Sequence, residues 1–130
     1  MNDNPIMVSV IITTRNEETN IRNCLESIKS QSYPADKIEI IVVDNNSIDK
    51  TKEIAKEYTQ KVYDCGPERS AQRNCGVNQA SGKYILYLDS DMILSRDVIN
   101  ECVLMCETTN KTALYIPEKI LGKGYWIVGI

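Results

Sequence analysis

The chain has 130 residues, which is enough for one domain that buries about two thirds of its unfolded surface. Its net charge of −3 and pI of about 5.0 argue against nucleic acid as a partner, because neutralising phosphates requires clustered Lys and Arg. No apolar run reaches the roughly 18 residues of a membrane span, and the N-terminus lacks the basic and apolar regions of a secretory signal. We therefore expect a cytoplasmic protein, with the cytoplasmic face of a membrane as a second location left open.

Short β-branched runs alternate with amphipathic stretches along the chain. In chain order, the pattern predicts a strand at residues 7–12, a helix at 21–28, a strand at 38–43, a helix at about 49–58, a short strand at 61–63, a helix at about 68–79, a strand at 84–88, a helix at 96–106 and a last strand at 113–116. Ser47 or Asp49 is the predicted cap of the second helix, and Ser95 is that of the last one.

This alternation predicts an α/β fold, in which helices cover both faces of a mostly parallel sheet as a three-layer sandwich. Right-handed crossovers then place every strand-to-helix loop at the same edge of the sheet. Ligands of open α/β sheets bind at that edge, beyond the carboxyl ends of the strands. Since the chain contains no linker, low-complexity segment or close repeat, we expect a single domain over residues 1–130.

Cysteine and histidine content restricts the chemistry available to the chain. The five cysteines are odd in number and form no Cys-x-x-Cys pair, which indicates reduced thiols rather than a disulfide framework. Cys102 and Cys106 are four residues apart on a predicted helix, but without partner ligands they are interpreted as core residues. The chain has no histidine, so a metal site is expected to use oxygen ligands.

Asp89 and Asp91 directly follow a predicted buried strand. If the extended geometry continues, residues two apart project to the same side, so both carboxylates face one spot. Two like charges about 6 Å apart repel by about 3 kcal/mol at an effective dielectric near 20, and a divalent cation would remove that repulsion. Mg²⁺ and Mn²⁺ suit such an all-oxygen site, whereas the alternative is a simple turn before the next helix.

Three further charged residues lie on or near the predicted loops of the same edge. Asp44 ends a predicted strand, where a turn or a helix cap is the alternative to a binding role. Glu17 is in a first turn, where acidic residues commonly complement the helix dipole. Arg73 is on a helix and is alternatively only solvated. The chain lacks both Gly-x-Gly-x-x-Gly and the P-loop sequence, which argues against a dinucleotide dehydrogenase or a P-loop NTPase.

Taken in order, four segments resemble the signatures of the family 2 glycosyltransferases with the GT-A fold. They are the opening strand with its Asn-Glu pair at residues 8–17, the Asp-Asn-Asn-Ser segment within 41–51, the Arg-Asn-x-Gly and Ala-x-Gly pattern within 73–84, and the Asp-Ser-Asp sequence within 86–91. The resemblance covers roughly residues 7–120 and implies a Rossmann-like nucleotide-diphospho-sugar transferase fold, here apparently truncated.

The resemblance also implies roles for individual residues. Thr13 and Glu17 would contact the nucleoside, Asp44 would read the base edge, commonly uracil, and Arg73 would lie beside the base or the phosphates. Asp89 would hold the ribose or the outer shell of the metal.

The resemblance also implies a metal ion and a reaction. Asp91 would ligate the Mg²⁺ or Mn²⁺ ion that bridges the diphosphate, and Asp89 is counted with it as a metal residue. The implied reaction is inverting transfer of a sugar from a nucleoside-diphosphate sugar, most commonly a UDP-sugar, to an acceptor hydroxyl on a saccharide, lipid or protein.

The chain departs from the family pattern in two ways. Thr13 and Arg15 stand where the family often has proline and an aromatic residue, which bears on the nucleoside preference. Members usually continue well past 200 residues and carry an acidic catalytic base after the Asp-x-Asp sequence, for which Glu118 is a poor positional match. We therefore expect the base to lie beyond Ile130, so the catalytic residue is unknown.

Two alternative functions remain. The chain could be a non-catalytic fragment that only binds nucleotide. The second alternative is an aspartate-nucleophile phosphatase with Asp89 as nucleophile and Asp91 as general acid, although Ile93 replaces the small hydroxyl residue expected there. An exposed sheet edge makes a homo-oligomer a further expectation.

Overall fold

The computed structural model of the protein describes residues 5–109, 118–121 and 125–128. The elements, in chain order, are β1 (Val8–Thr14), α1 (Ile21–Lys29), a 3₁₀ turn (Ala35–Lys37), β2 (Ile38–Asp44), α2 (Thr51–Lys56), β3 (Val62–Asp64), α3 (Arg69–Gln79), β4 (Tyr84–Asp89), β5 (Met92–Leu94), α4 (Val98–Thr109), β6 (Glu118–Leu121) and β7 (Tyr125–Val128). The strand predicted at residues 113–116 lies outside the described residues. Within the described part of the chain, no helix has the length and apolar character needed to cross a lipid bilayer.

Strands β1 to β4 form a parallel sheet with the order β3-β2-β1-β4. β1 is central, and its residue Thr13 pairs with Val43 of β2 and with Asp89 of β4. All seven residues of β1 are buried, since a parallel strand inside a sheet is covered on both faces. The register therefore brings the ends of β1, β2 and β4 to the same edge of the sheet.

Helices pack on both faces of this sheet, which confirms the predicted three-layer α/β architecture. On one face, Val10 and Ile12 of β1 belong to an apolar core shared with α1, α2 and α4. On the other face, Ile11 packs with Ile41 and Val43 of β2, against the side of the sheet that α3 covers. Successive residues of β1 therefore enter opposite layers, as the alternation of side chains in a strand requires.

The starts of two helices differ from the prediction. α2 begins after Lys50, whose side chain makes no capping bond, while Asp49 contributes a carboxylate oxygen that accepts from the Thr51 amide at 2.9 Å. α4 begins at Val98 rather than at residue 96, and Ser95 accepts from the Val98 amide through its main-chain oxygen at 3.3 Å. At α2 a side-chain bond of Asp49 competes with capping, and helix ends in general vary by one or two residues, so the exact first residue was not predictable.

A second, three-stranded sheet was absent from the prediction. Its order is β5-β7-β6, with β5 parallel and β6 antiparallel to β7. β5 has only three residues, and Met92 pairs with Trp126, which is far away in the chain. A strand of this length shows no periodicity in sequence, and its partner cannot be inferred from local pattern.

A buried carboxylate, that of Glu39, links neighbouring segments at the amino-terminal edge of the main sheet. Glu39 of β2 accepts hydrogen bonds from Ser9 Oγ at 2.6 Å, from the Ser81 amide at 2.9 Å and from Lys61 Nζ. Burial alone raises a carboxyl pKa, but the bonds from Lys61, Ser9 and Ser81 outweigh it and lower the pKa of Glu39 from 4.5 to about 2. This residue therefore stabilises the edge opposite to the loops that carry the candidate site.

Candidate functional site

The loops that follow β1 and β2 are joined to each other by hydrogen bonds. The Asn16 amide donates to Ser47 Oγ at 2.8 Å, and Asn16 Oδ1 accepts from the Ile48 amide at 2.8 Å. The Glu17 amide donates to Thr51 Oγ1, also at 2.8 Å. Asn16 has a φ of 51°, in the left-handed region that asparagine tolerates better than most residues. These bonds fix the position of Glu17 at the carboxyl edge of the sheet.

Asp44 lies at the end of β2 and is fully buried. Its Oδ2 accepts from the Ser47 amide at 2.9 Å, and its Oδ1 accepts from the Ser47 hydroxyl. Ser47 therefore forms a turn with Asp44 and does not cap α2. This is the turn that we considered as the alternative to a binding role for Asp44. The role of Asp44 in reading a base stays a prediction.

A cleft of about 170 Å³ lies at the carboxyl edge of the main sheet. It is lined by residues from the end of β1 and the loop after it, the first turn of α3, and the end of β4 and the turn after it: Thr13, Thr14, Arg15, Glu17, Arg69, Gln72, Asp89, Ser90 and Asp91. Four of the six predicted site residues, Thr13, Glu17, Asp89 and Asp91, are therefore brought together. Asp44 and Arg73 are not among the lining residues.

Negative charge dominates the part of the cleft that β4 contributes. Thr13 Oγ1 donates to Asp89 Oδ1 at 3.2 Å, and Arg69 Nε lies 3.6 Å from the same oxygen. Burial raises the pKa of Asp91, and the charges of Glu17 and Asp89 raise it further, while Arg69 lowers it. Asp91 is therefore held in surroundings that favour a nearby cation.

The donor set of the cleft limits how a metal ion could be held. In the described residues, no group of three or more His, Cys, Asp or Glu side chains has the arrangement of a metal site. Asp89 and Asp91 offer carboxylate oxygens, and Mg²⁺ is commonly bound by one or two carboxylates together with substrate phosphates and water. The two aspartates therefore fit a divalent ion shared with a phosphate ligand, and not one enclosed by protein alone.

Arg69 is a cleft residue that the sequence reasoning missed. Arg73, which the motif resemblance placed beside the base or the phosphates, is one turn further along α3. Its guanidinium carbon lies 5.2 Å from the ring centroid of Tyr87. The Nε atom of Arg73 is buried and has no hydrogen-bond partner among the described residues. α3 begins at Arg69, directly after the loop at the carboxyl edge, so its first turn is the one nearest the cleft. Position at the start of the helix was the signal that could have identified Arg69.

A model of the family described as glycosyl transferase family 2 matches residues 9–126. The chain belongs to this family. Among its curated relatives, glycosyltransferase AglE of Haloferax volcanii is 43% identical over 91 residues, which are 65% of this chain and 30% of the relative. The poly(ribitol-phosphate) beta-N-acetylglucosaminyltransferase TarS of Staphylococcus aureus is 29% identical over 126 residues, 89% of this chain and 22% of the relative. The chain thus spans less than a third of the length of these two relatives.

Solved structures of family 2 glycosyltransferases share the fold of this chain. S. aureus TarS 1–349 in complex with UDP-GlcNAc superposes with a TM-score of 0.80 at 29% identity, covering 92% of this chain and 36% of that chain. The mannosyltransferase PcManGT from Pyrobaculum calidifontis, in complex with GDP-Man and Mn²⁺, gives a TM-score of 0.72 at 26% identity, covering 80% and 33%. The α/β architecture of this chain is therefore that of GT-A glycosyltransferases.

Proposed function

We propose that the chain is the donor-binding part of a glycosyltransferase that transfers a sugar from a nucleoside-diphosphate sugar, a UDP-sugar, to an acceptor hydroxyl. The observation that carries this proposal is the cleft in which Thr13, Glu17, Asp89 and Asp91 meet at the carboxyl edge of the sheet. Membership of family 2 supports it, as do the complexes of structural neighbours with UDP-GlcNAc, UDP and GDP-Man.

In this proposal Asp91 and Asp89 hold a Mg²⁺ or Mn²⁺ ion together with the donor diphosphate. When bound, the ion supplies Lewis-acid stabilisation of the departing diphosphate. The chain itself positions the ligands, because Thr13 donates to Asp89 and the interlocked loops fix Glu17 near Asp91. Arg69 lies beside Asp89 and adds a positive charge where the phosphates would bind.

We also propose that the transfer inverts the configuration at the anomeric carbon, on the basis of the resemblance of the four motifs. The acceptor hydroxyl would then attack from the face opposite to the leaving nucleoside diphosphate. The residues of the cleft account for binding the donor. None of the described residues is assigned to removing the proton from the acceptor hydroxyl.

Thermal unfolding of the full chain tests the proposal. A ligand at 100 times its Kd raises the free energy of unfolding by about 2.7 kcal/mol. For a domain of this size that corresponds to a rise in Tm of about 10 °C. We expect UDP to produce such a rise only with Mn²⁺ or Mg²⁺, and uridine, which lacks the diphosphate, to produce a much smaller one. If UDP leaves the Tm unchanged both with and without metal, the proposal is wrong.

The two alternatives are separated by a second measurement on the same protein. Family membership favours glycosyl transfer over an aspartate-nucleophile phosphatase, so we expect no Asp89-dependent hydrolysis of an aryl phosphate. A fragment that only binds nucleotide would show the metal-dependent rise in Tm but neither transfer nor hydrolysis of a UDP-sugar. Hydrolysis of the UDP-sugar by the chain would instead show that the cleft activates the donor.

A further inference from the structure

Two cysteines lie together beside the cleft without lining it. Cys65 directly follows β3, and Cys75 is in the middle of α3. Both side chains pack against the apolar cluster between α3 and the sheet. Each of the two is only partly buried and carries a free thiol, so a small molecule in solution can reach it.

The Cys65 thiol contacts the turn of α3 that leads to Cys75. Its Sγ donates to the main-chain oxygen of Ala71 at 3.5 Å. In an α-helix that oxygen also accepts the amide of the residue four positions later, which here is Cys75. Helical side chains tilt toward the helix N-terminus, so the Cys75 side chain projects back toward Ala71 and the Cys65 thiol. The two thiols therefore meet on one side of α3.

The residues between the two cysteines contribute to the cleft. Arg69 and Gln72 are both lining residues, and Arg69 lies beside Asp89. A covalent bond between Cys65 and Cys75 would therefore close a ring around the part of α3 that faces the cleft.

We propose that Cys65 and Cys75 are an oxidation site, at which hydrogen peroxide converts the two thiols into a reversible disulfide that weakens donor binding. In the first step the Cys65 sulfur attacks one peroxide oxygen, the O–O bond breaks, and the second oxygen leaves as water with the thiol proton. The product is a sulfenic acid. The Cys75 sulfur then attacks the sulfenic sulfur, the S–S bond forms, and the hydroxyl group leaves as water with the Cys75 proton. Two thiols are oxidised and one peroxide is reduced to two waters.

The surroundings of Cys75 determine the order of the two steps. Burial raises the pKa of the Cys75 thiol, and a hydrogen bond to the Cys65 thiol raises it further. The thiolate is the nucleophile, and a thiol with a raised pKa is seldom ionised at neutral pH. Cys75 therefore acts second, on a sulfenic acid that forms next to it.

The disulfide affects the cleft because the middle of α3 has no room to move toward the sheet. A Cβ atom built on Gly76 would lie 2.5 Å from Ile11 Cγ2, so the helix already touches β1 next to Cys75. The movement that brings the two sulfur atoms into a bond therefore falls on residues 66–72, which include Arg69. The effect on donor binding rests on the proposed function, whereas the oxidation itself does not.

Peptide mapping of the full chain tests the oxidation. The reduced protein is treated with hydrogen peroxide, its remaining thiols are alkylated in denaturant, and it is digested with trypsin. We expect the peptides 62–69 and 74–83, which contain Cys65 and Cys75, to be linked, and dithiothreitol to separate them. If the two cysteines stay reduced, or carry only sulfinic or sulfonic acid, the inference is wrong.

Titration calorimetry with saturating Mn²⁺, after removal of the peroxide, tests the effect on the cleft. We expect the oxidised protein to bind UDP about 10-fold more weakly than the reduced protein, the size of one lost hydrogen bond to a charged group. Dithiothreitol should restore the affinity. Cys65→Ser keeps a donor for the Ala71 oxygen, and its affinity should not change with peroxide. Cys102→Ser, at another partly buried cysteine, is the matched control and should respond as wild type.

The outcomes distinguish this inference from the proposed function. If the reduced protein binds no UDP with Mn²⁺, the proposed function fails, and the linked peptides alone decide the oxidation site. If the disulfide forms and both states bind UDP equally, the effect on the cleft is wrong. Should Cys65→Ser not fold, Cys75→Ala is measured with the same ligand, because alanine is favoured in a helix.

Discussion

The carboxylates of Glu17, Asp89 and Asp91 all line the cleft, and the pKa of Asp91 shows the electrostatic consequence most clearly. Burial raises its pKa, and the charges of Glu17 and Asp89 act in the same direction. In the unliganded protein the ionised form of Asp91 at neutral pH is therefore destabilising. A divalent cation bound there would turn this repulsion into attraction, which is the physical basis for expecting metal and nucleotide to bind together.

Substituting Asp91 tests this directly. We expect Asp91→Asn to leave the Tm of the unliganded protein unchanged or higher, because the substitution removes a disfavoured charge. The same variant should lose nearly all of the rise in Tm that UDP produces with Mn²⁺, because the metal loses a ligand. Differential scanning calorimetry measures both effects. Asp97→Asn, on an exposed residue after β5, is the control and should behave as wild type.

The stability of the protein in acid depends on Glu39. Its hydrogen bonds lower the pKa of the carboxyl group from 4.5 to about 2. A carboxyl with a lowered pKa in the folded state contributes stability above its unfolded pKa and loses it as the pH falls. Between pH 5 and pH 3 we expect Glu39 to account for a loss of about 2 kcal/mol of unfolding free energy. Urea unfolding of wild type and Glu39→Gln measures this, since the variant should lack that part of the pH dependence.

Equal acid sensitivity in wild type and Glu39→Gln would contradict the account of Glu39. Glu53→Gln, at an exposed position of α2, controls for the loss of one negative charge. We expect Glu53→Gln to show the pH dependence of wild type.

For the residues of the site, the sequence was informative wherever strand ends and motifs coincide. Asp89, Asp91, Thr13 and Glu17 line the cleft at the carboxyl edge of the sheet, which is the edge that the sequence predicted for the site. Arg69 could have been identified from its position at the start of α3, whereas Gln72 could not, because its place in the cleft depends on how α3 packs against β1 and β2. That packing is set by tertiary contacts, which a local pattern does not contain.

At the scale of the elements, the contact between α3 and β1 is unusually close. A Cβ atom built on Gly76 of α3 would lie 2.5 Å from Ile11 Cγ2 of β1. Gly76 therefore allows the helix to approach the sheet and places Arg69 and Gln72, at its start, over the strand ends.

Gly76→Ala tests the importance of this approach. Alanine favours the helix by about 1 kcal/mol over glycine, but the clash with Ile11 costs about 1–3 kcal/mol and we expect a net destabilisation of about 1 kcal/mol. Chemical denaturation measures the change. Asn78→Ala, on the exposed side of the same helix, should be neutral or stabilising by a few tenths of a kcal/mol. Stabilisation by both variants would show that α3 does not depend on the small residue.

Prediction of the elements succeeded where apolar runs are long. Strands β1, β2 and β4 and the four helices follow from β-branched runs and helical spacing, and the three-residue β3 lies close to the short strand predicted at residues 61–63. β1 and β2 extend to Thr14 and Asp44, beyond the predicted ends, because polar residues at the strand ends still pair in the parallel register. β5 and its pairing with β7 depend on contacts distant in sequence, and three residues carry no periodic signal.

At the scale of the whole molecule, the main sheet presents all its strand-to-helix loops at one edge, and the cleft lies there. The chain covers 36% of the TarS 1–349 structure and 30% of AglE. The part shared with these relatives contains the residues that we propose for the donor. Donor binding is therefore the central claim, and it can be measured on this chain.

A crystal structure of the chain grown with UDP and Mn²⁺, with anomalous diffraction data for manganese, tests this claim most directly. We predict one manganese peak in contact with the carboxylate of Asp91 and with the diphosphate, and the nucleotide bound in the cleft that Thr13 and Glu17 line. A manganese ion away from Asp89 and Asp91, or UDP bound outside the cleft, would contradict the account.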